Sequence, residues 1–106
     1  MKESKRDVRL QSEAWVLYIL ECADHSLYTG ITNRLSSRLE AHQKGTGAKY
    51  TRSRLPVKLV YTEICDNRSY ASKREYAVKK LTRSQKQELI KQLYFFEIPQ
   101  KTQLQI

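Results

Sequence analysis

Two tyrosines, an arginine, a histidine and a glutamate are the side chains of this sequence best suited to chemistry. Tyr18 lies in "VLYILE", Tyr28 in "LYTGI", and Arg38 and His42 in "RLSSRLEAHQK". Arg38 and His42 are four residues apart, so on a helix they share a face, and Arg34 extends that ridge by a turn. A guanidinium presents a rigid fork of donors that fits a phosphate, and an imidazole moves a proton near neutral pH. The pair therefore suits phosphate chemistry, with an ordinary solvated face as the competing reading. Glu75 is the single acidic residue between Arg68 and Lys86. A carboxylate facing a phosphate site is repulsive unless a divalent cation stands between them, and Mg²⁺ is often held through one or two carboxylates. Two structural readings of Glu75 compete: an i,i+4 pair with Lys79, and a capping box running from Ser72 to Glu75. The tyrosines have a structural reading too, because tyrosine favours strands.

These side chains need elements to position them. "WVLYILE" (15–21) is apolar, aromatic and branched, which predicts a strand covered on both faces. "ADHS" is a turn and "LYTGI" (27–31) a second strand, making a hairpin. If Glu21 pairs with Leu27, Tyr18 falls opposite Gly30 and Tyr28 opposite Leu20. Both tyrosines and Gly30 then share one face, and the glycine leaves room for a ring. An odd change in loop length would separate them. Thr32 or Asn33 is placed to cap a helix over 34–44, with Leu35 and Leu39 inward. Gly45 and Gly47 suit its end and a loop. Residues 45–56 read as a basic loop with too little apolar periodicity for a buried element. "VKLVYTEI" (57–64) alternates as a third strand. A helix is expected over 67–81, with Tyr70, Ala71, Ala77, Val78 and Leu81 as its apolar stripe. Thr82 to Gln85 is a capping box that opens a last helix to about residue 92. The order β-β-α-β-α-α predicts an α+β fold, a small three-stranded antiparallel sheet flanked by helices. Residues 1–13 are expected to form a flexible basic tail, 14–93 the domain, and 94–106 a C-terminal tail. The "YFF" at 94–96 is a segment that docks on the body or joins a partner.

A chain of 106 residues is one domain by size. Its net charge of +9, with a pI near 9.7, points to a polyanionic partner. Residues 33–58 and 67–92 each carry +6, flanking an acid-leaning centre. DNA is the expected partner, with RNA not excluded. Cys22 and Cys65 lack zinc-ligand spacing and read as reduced, buried thiols. No stretch approaches the roughly 18 apolar residues of a membrane span, and the polar start lacks the apolar centre of a secretion signal, so no membrane association and a cytoplasmic location are expected. There is no P-loop, dinucleotide-binding glycine pattern or serine elbow, so no small-molecule cofactor is expected. His25 falls in the turn and is expected to be solvated. Oligomeric state is not legible.

The ordered set of motifs resembles the GIY-YIG nuclease superfamily, especially its small, stand-alone bacterial single-domain proteins. "VLY" (16–18) stands for the first motif and "YTG" (28–30) for the second. Arg38 ends "ITNRLSSR" at the family's expected distance, and His42 matches a histidine found one turn later in part of the family. "RSYASKREYAVKKL" is similar to the metal-glutamate helix, with Glu75 in the glutamate's place. The likeness spans about Trp15 to Lys91. It implies single-metal phosphodiester hydrolysis with Mg²⁺ or Mn²⁺ on Glu75. Tyr18 would act as, or orient, the general base for an attacking water, and Tyr28 would support it by hydrogen bonding. Arg38 would neutralise charge on the phosphate, and His42 would transfer a proton or contact the phosphate. A tyrosine of pKa about 10 is a poor base at neutral pH, so it needs positive charge nearby.

Val16 and Leu17 replace the first motif's glycine and isoleucine, and Ile31 stands where many relatives carry a lysine. Lys49, Arg52 or Arg54 could substitute for that lysine. With Arg34 and Arg74 they are the expected nucleic-acid contacts. The resulting reading is a metal-dependent DNA nuclease of little sequence specificity, with repair or recombination as its setting. The alternative is a nucleic-acid-binding module with a vestigial, non-catalytic site. A protein-interaction role through "YFF" is the third.

Overall fold

The computed structural model describes residues 14–97, and side chains as far as Gln92. The elements are β1 (Trp15–Glu21), β2 (Leu27–Thr32), α1 (Leu35–Lys44), α2 (Lys49–Arg52), β3 (Lys58–Cys65), α3 (Arg68–Lys79) and α4 (Arg83–Glu97). The strands form one antiparallel sheet in the order β2-β1-β3. The central position of β1 explains its unbroken apolar run, since Val16 to Leu20 are all buried.

Alternation along β1 divides the core into two layers. Leu17 and Ile19 face α3 and α4, packing with Tyr61, Cys65, Ala71 and Val78 and, at the margin, Ile31, Leu81, Leu89 and Ile90. Tyr18, Leu20 and Cys22 face α1, packing with Val57, Tyr28, Leu35, Leu39 and Leu55. Burying a side chain such as Leu17 or Ile19 contributes about 1.5–3 kcal/mol. The hairpin register is the expected one, with Glu21 opposite Leu27, Tyr18 opposite Gly30 and Leu20 opposite Tyr28.

Several local expectations change. Neither Thr32 nor Asn33 caps α1. Arg34 occupies the capping position without a side-chain bond, and the Thr32 hydroxyl instead accepts the Arg34 N–H at 3.0 Å, closing a turn before the helix. The segment 45–56 is not wholly a loop: it contains the single turn α2, and Thr51 within it is fully buried. A bulge between the partners of Ile19 and Leu20 breaks the alternation of β3. Val60 therefore packs on the α3 and α4 side, while Leu59 is left 38% exposed.

Ala71, Val78 and Leu81 of the expected stripe pack inward, but Tyr70 and Ala77 are exposed, and Arg74 and Glu75 are partly buried on α3 instead. Asn67 caps α3 by accepting the Tyr70 N–H at 2.8 Å, which leaves no place for a box from Ser72 to Glu75. Thr82 and Gln85 do form a reciprocal box at the start of α4, at 2.9 and 3.1 Å, and that helix continues to Glu97. Cys22 and Cys65 are buried free thiols. The tail 1–13, residues 98–106 and the side chains of "YFF" lie outside the described residues. Among the described residues no helix is long and apolar enough to cross a membrane.

Candidate active site

Tyr18 projects from the centre of β1 across Gly30 of β2. A Cβ at Gly30 would sit 2.6 Å from the Tyr18 hydroxyl, so only glycine admits the ring. The hydroxyl meets His42 Nε2 on α1 at 2.9 Å, and His42 Nδ1 meets Thr51 Oγ1 on α2 at 2.9 Å. Gly47 makes room for the imidazole, since a Cβ there would lie 2.6 Å from Nδ1. Gly45 ends α1 in the left-handed region, at φ 83°, and turns the chain toward α2. Tyr18, His42 and Thr51 are all buried, at 1%, 0% and 0% exposure.

The proton positions follow from the outer end of this chain of bonds. Thr51 has one hydroxyl hydrogen, which goes to the Ala48 carbonyl at 3.0 Å, an atom that only accepts. Thr51 Oγ1 must then accept from His42, so His42 carries its proton on Nδ1. The lone pair of Nε2 is left to accept the Tyr18 O–H. Burial, with Arg38 adding to it, holds the His42 pKa below its ordinary value and so keeps the ring neutral.

Arg38 lies one turn before His42, and its charge acts on both phenols. Burial pushes the Tyr18 pKa up to about 12, against the opposing pull of Arg38. Tyr28 and Glu75 add smaller upward pushes. The Arg38 pKa is raised, chiefly by hydrogen bonding to Tyr18. Tyr28 sits edge-on to His42, with centroids 5.4 Å apart, and against Tyr50, whose other contact is the Arg54 guanidinium 3.9 Å from its ring centre.

Tyr18, Tyr28, Arg38 and His42 are thus gathered on the α1 side of the sheet. Glu75 comes from α3 on the other side. Its charge is felt at Tyr18, and its direct partner is Lys79 at 3.1 Å, the i,i+4 pair foreseen above. Among the described residues no three His, Cys, Asp or Glu side chains cluster to form a metal cage. A single carboxylate, 26% exposed, still fits Mg²⁺ or Mn²⁺, because Mg²⁺ commonly keeps several waters and completes its shell with substrate phosphate.

The expected nucleic-acid contacts divide. Arg34, Lys49 and Arg52 are exposed. Lys49, Arg52 and Arg54 line an open groove of about 680 Å³ with Tyr50 and Ser53. Arg54 is also tied to Asp24 at 3.1 Å and to the Tyr50 carbonyl at 2.8 Å. Arg74 is committed to a bidentate pair with Glu63, at 2.5 and 2.9 Å, and that pairing holds the Glu63 carboxyl below the usual range. His25 is exposed and bonds Glu21 at 3.1 Å. Sequence reasoning missed Thr51 and Tyr50. Neither carries a motif. The one available signal was Thr51 itself, a small polar residue in a segment with glycines on its N-terminal side.

The sequence model of the GIY-YIG catalytic domain matches residues 14–88. A UPF0213 protein of Clostridium perfringens is 61% identical over 74 residues, covering 70% of this chain and 80% of its own. A UPF0213 protein of Desulfotalea psychrophila is 54% identical over 79 residues, covering 74% and 72%. Among solved structures, a protein of E. faecalis matches with a TM-score of 0.56 at 44% identity, covering 77% of this chain and 88% of that one. A UPF0213 protein of Bacillus halodurans matches with a TM-score of 0.50 at 44% identity, covering 74% and 83%.

Proposed function

The chain belongs to the GIY-YIG nuclease family, and we propose that it is a metal-dependent nuclease that hydrolyses DNA phosphodiester bonds with little sequence specificity. The observation that carries this reading is the Tyr18 hydroxyl bonded at 2.9 Å to a neutral His42, with the charge of Arg38 felt at both. A phenol with a pKa near 12 is not ionised at neutral pH, so Tyr18 needs somewhere to send its proton.

In the proposed reaction a water gives its proton to the Tyr18 oxygen as Tyr18 passes its own to His42 Nε2. The water oxygen attacks phosphorus, the opposite P–O bond breaks, and the departing oxygen takes the electron pair and is protonated by solvent. Arg38 stabilises the charge gathering on the phosphate, and Tyr28 hydrogen-bonds beside it. The Tyr18 hydroxyl, on a side chain 1% exposed, has to be opened to that water when the phosphate binds. Glu75 would hold Mg²⁺ or Mn²⁺, which when bound supplies positive charge to the phosphate oxygens. Positively charged Arg38 lowers the His42 pKa, which helps His42 shed the acquired proton afterwards.

Arg34, Lys49 and Arg52 would track the strand, with Arg54 steadying Tyr50. Residues 14–93 form the working domain in this reading, which places the protein in the cytoplasm acting in repair or recombination. One observation favours a binding module with a vestigial site: Ile31 packs into the α3 and α4 layer, so no lysine follows the second motif. Cleavage of labelled single-stranded, duplex and branched DNA with Mg²⁺ or Mn²⁺ decides between the two. Wild type should cut, while Glu75→Gln and Tyr18→Phe should bind and not cut. Binding by wild type without cleavage in either metal would sink the enzyme.

A further inference from the structure

The two sides of the sheet meet beyond the open edge of β2. There a cavity of about 240 Å³ is lined by Leu27, Tyr28, Thr29 and Tyr50, and by Lys79 of α3 and Lys86 of α4. Two lysines from consecutive helices line one concavity whose wall includes a tyrosine of the candidate active site. Lys79 pairs with Glu75, but Lys86, half-buried, makes no ion pair or side-chain hydrogen bond among the described residues. Burial and the charge of Lys79 both depress the Lys86 pKa, which records the cost of the arrangement.

An anion between the lysines would remove that repulsion. The cavity opens to solvent, so a group seated there can remain part of a polymer. We propose that Lys79 and Lys86 form a subsite for a backbone phosphate of a nucleic-acid strand, neighbouring the phosphate at Arg38. The ligand class rests on the nucleic-acid reading above. The site itself rests on the paired lysines and the tyrosine wall.

The test is binding, in EDTA, of a fluorescein-labelled single-stranded DNA oligonucleotide, followed by anisotropy across a NaCl series. Lys86→Gln and Lys79→Gln should each weaken binding several-fold and flatten the slope of log K against log salt by about 0.7, the loss of one phosphate contact. Lys86→Arg should keep the wild-type slope. Lys73→Gln, which removes an exposed charge elsewhere on α3, should also leave it unchanged. Circular dichroism confirms that each variant is folded. A wild-type slope in Lys86→Gln, an equal loss in Lys73→Gln, or no binding by wild type overturns the subsite. Cleavage is scored separately. A chain that cuts while Lys86→Gln binds normally keeps the nuclease and loses the subsite. A chain that never cuts while Lys86→Gln flattens the slope keeps the subsite and loses the nuclease.

Discussion

Thr51→Val tests the direction of the buried proton chain. Valine keeps the shape of threonine at a site with 0% exposure and removes the one acceptor of the His42 Nδ1–H. The Ala48 carbonyl is not orphaned, because it still accepts the Arg52 N–H at 3.1 Å. If the imidazole keeps its proton on Nδ1, a buried donor is left unpaired, at about 1–3 kcal/mol. If the proton moves to Nε2, Nε2–H donates to Tyr18, and both Nδ1 and the buried Tyr18 hydrogen are left without partners. The first outcome leaves fewer groups unpaired, so the proton should stay on Nδ1 and stability should fall by about 1–3 kcal/mol. Long-range ¹H–¹⁵N correlation on His42 reads the tautomer directly, and His25→Gln removes the one other histidine signal. Wild type, Thr51→Ser and Thr51→Val should all show the proton on Nδ1, and of the variants only Thr51→Val should lose that stability. A wild-type ring protonated on Nε2, or a Thr51→Val chain as stable as wild type, refutes the proton assignment whether or not the protein cuts DNA.

Two further outcomes follow from the same geometry. Gly30→Ala puts a Cβ 2.6 Å from the Tyr18 hydroxyl and 2.7 Å from Cζ, and a ring this buried has little freedom to yield. The expected loss is about 1–3 kcal/mol, read as a fall in melting temperature of at least about 4 °C; an unchanged melting temperature would mean the ring packs elsewhere. Stability should also decline in mild acid. The folded pKa of His42 is depressed, so the unfolded chain takes up the proton first. The contribution is therefore complete above about pH 6.5 and is lost as pH falls through the lower folded value. Glu63, depressed by Arg74, titrates in a separate window below about pH 4.3. Urea midpoints should drop from about pH 7 to 5.5 in wild type and stay level in His42→Gln; parallel curves would mean another group is responsible.

Much of this site was legible because strand and helix periodicities are rigid. Once Glu21 pairs with Leu27, the placement of Tyr18 over Gly30 follows without any knowledge of the rest of the chain. Arg38 and His42 share a face for the same reason. What was not legible depends on packing between elements distant in sequence. Thr51 lies in a one-turn helix with no apolar period, and its burial is decided by the His42 ring it must satisfy. The stripe of α3 was misread because an apolar count ranks Tyr70 and Ala77 above Arg74 and Glu75, yet Arg74 turns inward to meet Glu63 on β3. That exchange has a consequence for function. The same rotation of α3 that brings Arg74 to Glu63 also brings Lys79, five residues on, to the cavity at the edge of β2. Arg74 thereby anchors the helix that carries Glu75. A basic stretch that reads as uniformly available for nucleic acid divides into one arginine anchoring the helix and a lysine pair facing the cavity.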